Sequence, residues 1–163
     1  MPGFSNSRAN LGFVKQRYNQ NKAAGEKLIG SEYWLVIRGY EKLSILVRTA
    51  QIPEITREDV EDFAPGGAKF TQHGPFRNSG ETQVQCAETI DGTVLKTVRD
   101  LVFNKRYVNV DLYLASESKG GPADSPACSM EDVKIYCDAV DFASEDVTAV
   151  VRPGLRLVYN WLQ

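Results

Sequence analysis

The sequence predicts a mainly β (α+β) fold, a small antiparallel β-sandwich or barrel with one helix. Three observations carry this. Short segments alternate apolar and polar residues with period two, a single segment carries a strong helical stripe, and Gly/Pro-bearing loops separate them. A chain of 163 residues, 42% of them hydrophobic, is enough to close one core.

Residues 1–30 stand apart as an N-terminal arm, polar and basic, with the domain proper over 31–163. Leu11, Val14 and Tyr18 recur at i, i+3 and i+7 and predict a short helix over 10–23. Its apolar stripe is too thin to fold alone, so the arm is expected to order against a neighbouring subunit. Glu32–Arg38 and Ser44–Thr49 are rich in β-formers, and the five residues between them predict a hairpin. Trp34 and Val36 on one face, with Tyr33, Leu35 and Ile37 on the other, predict a strand covered by core on one side and by a partner on the other.

Pro53 ends that strand, and a long acidic loop or hairpin over 54–75 is expected to protrude, turning at Pro65, Gly66 and Gly67. Val60, Phe63 and Phe70 within it are expected to dock on something. Glu81–Ala87 alternates, with Thr82, Val84 and Cys86 on one face. Val94, Val98, Leu101 and Val102 then form one helical stripe over 92–104, with Asp91 or Thr93 as its cap. Arg106–Ala115, Val133–Asp138 and Leu155–Leu162 return to period two, and so apolar a terminal strand belongs inside a sheet.

Net charge is −2, without the basic excess of a nonspecific nucleic-acid binder. It is unevenly spread: the arm carries Arg8, Lys15, Arg17, Lys22 and Lys27, whereas Glu54, Glu58, Asp59, Glu61 and Asp62 crowd the long loop. Such segments are either solvated faces or complementary surfaces that meet between subunits. No apolar run is long enough for a membrane anchor, and Met1–Ser7 lacks the features of a secretion signal, so synthesis in the cytoplasm is expected. Of the cysteines, Cys86 and Cys137 are expected to be buried and Cys128 exposed in its Gly/Pro/Ser loop; a disulfide is the minority reading.

Enzyme chemistry is thinly represented, and no catalytic, cofactor-binding or metal-ligating residues are assigned. His73 is the sole histidine and falls in a turn-like Gln-His-Gly-Pro stretch; phosphate-cradling glycine motifs are missing. The acidic loop lacks EF-hand spacing. Asp138, Asp141, Glu145 and Asp146 form a paired acid/base site only on the least favoured reading, a hydrolase. The strand aromatics Trp34, Tyr107, Tyr113, Tyr136, Tyr159 and Trp161 are not interleaved with a basic patch, so burial in core or interface is expected over base stacking.

The order arm, hairpin, long loop ending near Pro65-Gly66-Gly67, strand, helix and closing strands resembles the tail tube proteins of contractile-tailed bacteriophages, a tube/Hcp-like fold. Leu46–Pro53 is similar to the strand and Pro-bearing exit before that family's stacking loop, and Arg152–Leu162 is similar to its ending. The match covers about residues 31–163 and rests on architecture. It implies a virion structural protein whose sheets join between subunits into hexameric rings stacked around a DNA channel. The implied partners are copies of itself, tail sheath, baseplate, tail terminator and tape-measure proteins. Leu11, Val14, Tyr18, Val60, Phe63, Pro65, Gly66, Gly67 and Phe70 become candidates for contacts between subunits or rings. The polar strand positions Gln83, Gln85, Lys134, Asp138, Arg156 and Asn160 become candidates for the lumen. A baseplate tube-initiating subunit or a secretion-system tube protein of the same fold is the near alternative. A monomeric β-domain binding module is the alternative of another class.

Overall fold

The computed structural model describes residues 8–163. Met1–Ser7, on which the reading of no secretion signal falls, lies outside them. The chain divides into two compact units, one ending at Glu32 and the other comprising Tyr33–Gln163. In the first, α1 (Leu11–Ala23) starts at Asn10, whose side chain accepts a hydrogen bond from the Phe13 amide at 3.0 Å. None of its residues is buried within the chain.

The second unit is mainly β and antiparallel, as its alternating segments predict. Its strands are β1 (Tyr33–Ile37), β2 (Val47–Ala50), β3 (Arg57–Phe63), β4 (Lys69–Phe76), β5 (Gly80–Cys86), β6 (Val108–Ser116), β7 (Gly121–Pro122), β8 (Cys128–Cys137), β9 (Gly154–Tyr159) and β10 (Trp161–Leu162). A short α2 (Glu41–Leu46) and the longer α3 (Thr93–Phe103) complete it. Six strands run in the order β1-β6-β8-β9-β5-β2 as a nearly closed barrel, with β7 on β6 and β10 on β8. Strands β3 and β4 form a separate two-stranded sheet.

The inward faces supply the core. Leu35, Ile37, Val84, Cys86, Val110, Leu112, Ile135, Leu155, Leu157 and Tyr159 are buried, as are Val94, Val98 and Leu101 of α3. The helical stripe read from the sequence is therefore the face that packs on the barrel, with Val102 at its margin and exposed.

The expected hairpin over 33–49 is not formed. β1 pairs with β6 and β2 with β5, so the two strands stand at opposite ends of the sheet path. The start of the expected second strand is α2 instead. Gly39 takes φ +85°, a left-handed turn suited to glycine, and Leu43 is buried. The Ser44 hydroxyl accepts from the Ile37 amide at 2.9 Å and donates to the Tyr40 carbonyl at 3.1 Å. That side chain ties α2 to the end of β1.

The cap of α3 also differs from expectation. Neither Asp91 nor Thr93 supplies it; Gly92 is the N-cap, at φ +71°. The Glu88 carboxylate accepts from the amides of Thr89 (2.8 Å), Val94 (3.0 Å) and Leu95 (3.0 Å), a negative charge on the helix's positive end. Thr89 Oγ1 accepts from the Thr93 amide at 3.2 Å. Glu88→Ala leaves first-turn amides without an acceptor and is expected to lower the unfolding free energy by about 1–2 kcal/mol in chemical denaturation.

β8 begins five residues before the expected Val133 and holds a bulge: Val108 opposes Val133, but Val110 opposes Met130. Asp132 adopts φ +52° there. Core-facing parity switches across it, from Cys128 and Met130 to Val133 and Ile135. Cys128, expected exposed, is therefore buried, because the strand reaches back into the Ser/Pro-rich stretch. Cys86 is buried too, and burial pushes its thiol up to about 12. All three cysteines are free thiols.

Candidate assembly surfaces

Strands β1 and β2 end the sheet path, so each has one margin without a strand partner. In β1 the Ile37 amide turns to Ser44 rather than to β6, which puts the amides and carbonyls of Tyr33 and Leu35 on the same unpaired side. The strand Tyr-Trp-Leu-Val-Ile carries no charge, and Trp34 on its outer face is half-exposed. An uncharged, β-branched margin is a template for another strand, and natural monomers usually blunt such margins.

The acidic segment forms a hairpin. Gly66 (φ +89°) and Gly67 (φ +84°) make the turn at its tip, closed by the Ala64 amide on the Ala68 carbonyl at 2.8 Å. Its base is tied down: Phe76 meets Trp161 edge-on at 6.1 Å, and Asn78 Nδ2 donates to the Asn160 carbonyl at 3.1 Å. Arg77 pairs with Glu54 and Glu58 at 3.8 and 3.5 Å. Beyond the base, every residue of β3 is exposed. Val60, Phe63 and Phe70, expected to dock, are all exposed in the single chain, Phe63 at 64%. His73 lies on β4 and not in a turn, and it is exposed.

The lumen candidates gather on one surface with a single exception. Gln83 pairs with Arg156, Arg156 with Tyr136, and Lys134 with Val158, so β5, β9 and β8 present these side chains on the outer face of the barrel wall. Gln85 and Asp138 continue it beside a polar depression of about 460 Å³ that Thr49 and Gln51 also line. Arg156 ties three strands together: its guanidinium lies 3.7 Å from Glu81, 3.2 Å from Asp138 and 5.6 Å over the Tyr136 ring. Its Nε is buried and makes no aligned hydrogen bond, so the Asp138 contact is a charge pair only. Lys134 and Arg156 stand on this face with Glu81 and Asp138, so it carries charges of both signs. Asn160 is apart: its Nδ2 donates to the Asp132 carbonyl at 3.0 Å, and its amide to the Glu131 carbonyl at 3.2 Å, clamping the β8 bulge.

In the first unit, Leu11, Val14 and Tyr18 are exposed at 80%, 60% and 55%. Lys15 sits 4.7 Å over the Tyr18 ring and Arg17 6.0 Å over that of Phe13.

Among the described residues no cluster of His, Cys, Asp or Glu is arranged to hold a metal ion, and no helix is long and apolar enough to cross a membrane. Asp138 faces Arg156, whereas Asp141, Glu145 and Asp146 stand exposed in an irregular segment. One polar pair escaped sequence reasoning altogether. Asp111, 2% exposed, is held by Arg38 Nε and Nη2 at 2.8 Å each and by Ser129 Oγ at 2.7 Å. Its position in an alternating strand marks it only as outward-facing.

No family model matches the chain, and no curated protein sequence matches it. Solved structures do. A chain of the sheath/tube terminator of an extracellular contractile injection system, PVC, superposes with TM-score 0.62 at 9% identity, covering 85% of this chain and 96% of that one. A chain of the PVC sheath–tube complex gives 0.60 at 10% identity, with 88% and 95% covered. A chain of the anti-feeding prophage baseplate gives 0.55 at 8%, with 85% and 95% covered. The fold is tail-tube-related. At such identities the likeness is one of architecture, and it extends over nearly the whole of each matched chain.

Proposed function

We propose that this chain is a structural, non-enzymatic subunit of a contractile tail tube, assembling as stacked hexameric rings around a channel through which DNA passes during ejection. One observation carries the reading: a tail-tube-related fold whose uncharged sheet margin has no strand partner in its own chain. Joining margins between copies satisfies those backbone groups and removes the edges.

Three further features support it. The arm, through Leu11, Val14 and Tyr18, and the hairpin, through Val60, Phe63, Phe70 and the Pro65-Gly66-Gly67 turn, offer exposed apolar groups to adjacent copies and rings. Their opposite charges favour contacts between copies over contacts between like segments. The outer face with Gln83, Gln85, Lys134, Asp138 and Arg156 carries charges of both signs and suits a bore, because a strongly basic lining would hold DNA through counterion release. Sheath, baseplate, terminator and tape-measure proteins are the partners of such a tube, and the tail of a virion made in host cytoplasm is its location.

A second reading is a baseplate or terminator ring of the same fold, favoured by the likeness to chains of both kinds of assembly. Electron microscopy of the purified full-length chain separates them. Long tubes with six-fold rings are expected; rings that do not stack give the second reading, and a monodisperse monomer at high concentration rejects both in favour of a binding module.

A further inference from the structure

Strand β6 stops short of covering β8. Its first residue, Val108, opposes Val133, so Lys134–Cys137 of β8 pair with β9 alone. The chain before Val108 leaves the strand line because the Arg106 amide turns back to the Leu101 carbonyl at 3.0 Å and closes α3. A recess of about 250 Å³ stands where β6 would have continued, lined by Leu101 and Val102 of α3, by Lys105–Tyr107 and by Lys134–Tyr136.

Backbone without a partner lies at its base. The Asp138 amide bonds to the Gly154 carbonyl at 3.0 Å, so Tyr136 and Lys134, at alternate positions, also turn their amides and carbonyls to β9. Ile135 between them turns its own the other way, into the recess. It is 2% exposed and finds no hydrogen-bond partner on that side among the described residues. Buried backbone groups are nearly always paired, so an orphaned amide and carbonyl at the foot of a recess point to an occupant that bonds them.

The walls favour an anion with an apolar body. No carboxylate lines the recess, whereas Lys105 and Arg106 do, and Val102 of the floor is half-buried. Arg106 is partly engaged by Asp100 at 3.7 Å, while Lys105 makes no ion pair among the described residues. Lys105 takes φ +53°, the left-handed position of the helix end that glycine adopts without strain. A lysine kept there points to a role outside the fold's own stability. The volume is below the roughly 300–1,000 Å³ of drug-sized sites and suits a single residue.

We infer that this recess holds the C-terminal residue of a partner chain, one with an apolar side chain and a free carboxylate. One carboxylate oxygen accepts from the Ile135 amide and the other faces Lys105 and Arg106. The residue's own amide donates to the Ile135 carbonyl, adding one rung to β8, and its side chain lies on Val102. The inference stands apart from the assembly reading, and neither needs the other.

Fluorescence anisotropy with the full-length chain tests it, using labelled hexapeptides that end in leucine, valine or phenylalanine, each as free acid and as amide. At least one free acid is expected to bind about ten-fold or more tighter than its amide. Lys105→Gly is expected to weaken that binding about five-fold or more while raising the thermal midpoint of the protein. Val102→Glu, at the half-buried margin of α3, is expected to weaken it by a similar factor. Equal binding of acid and amide assigns the recess to an internal segment, and displacement by N-acetylleucine at the peptide's own affinity assigns it to a small carboxylate. Either outcome, no binding at millimolar peptide, or binding unchanged in either variant overturns the inference and leaves the tube reading standing.

Discussion

Arg38→Met is expected to lower the unfolding free energy by about 1.5–3 kcal/mol, measured by urea denaturation at a concentration where the protein is dispersed. Asp111 sits at the centre of the β1–β6–β8 wall, opposite Val36 on one side and Ser129 on the other. It is 2% exposed although its strand position faces outward, because the guanidinium covers it. Both close contacts from Arg38 fall on Asp111 Oδ2, and Ser129 supplies Oδ1. Methionine keeps most of the apolar stem but removes the charge and the donors, so the carboxylate loses its counter-ion and its two closest hydrogen-bond donors and regains water only where the half-exposed guanidinium stood. Adding Asp111→Asn removes the uncompensated charge and is expected to recover about half the loss. A single substitution that costs less than about 0.5 kcal/mol, the size of a plain surface change, shows the pair to be solvated and the argument wrong.

The same pair marks the boundary of what the sequence makes legible. Period two in Glu81–Ala87, Arg106–Ala115 and Leu155–Leu162, and the 3.6 period from Val94 to Leu101, correspond to real strands and a real helix, since each has one face in the core. Errors arise where a non-local partner decides. Ser44–Thr49 has strand propensity, yet its first residues form α2 because Leu43 fills the core and Ser44 bonds back to the end of β1. No local pattern says that β1 must pair with a strand more than seventy residues away. At β8, a left-handed Asp132 changes the parity in mid-strand, so a reading anchored on Val133 loses Cys128 and Met130.

The candidate surfaces divide the same way. Charge and exposed aromatics in the hairpin are visible in sequence because a long segment without core periodicity has to be accounted for. The recess beside the end of α3, lined by Leu101, Val102, Lys105 and Lys134, is not visible. Lys105, Arg106 and Lys134 meet only because β8 passes the end of α3, and the conformation of Lys105 is a property of the helix end. At Asn160 the polar character is legible in sequence, whereas its bond to the Asp132 carbonyl, which clamps the β8 bulge, depends on a non-local partner.

Leu157→Ala is expected to have the largest effect of any single truncation in the barrel wall, lowering the unfolding free energy by about 3–4 kcal/mol. Leu157 is fully buried in β9, between Ile135 of β8 and Thr82 of β5, and so lies in the strand pair that joins the two halves of the sheet path. Thr82 fixes its own position by donating to the Gln51 carbonyl at 3.2 Å, and the Ile135 side has the packed core behind it, so neither neighbour can collapse into the vacated space. For a chain of this length each kcal/mol corresponds to roughly 2–4 °C, which puts the drop in thermal midpoint near 6–16 °C. Leu157→Met keeps the volume and is expected to cost less than about 1.5 kcal/mol. Because Leu157 touches only its own chain's core, the loss should be the same at every protein concentration. A deficit that shrinks as concentration rises would mean that β9 is completed by another copy, and the barrel described here would then be only part of the folding unit.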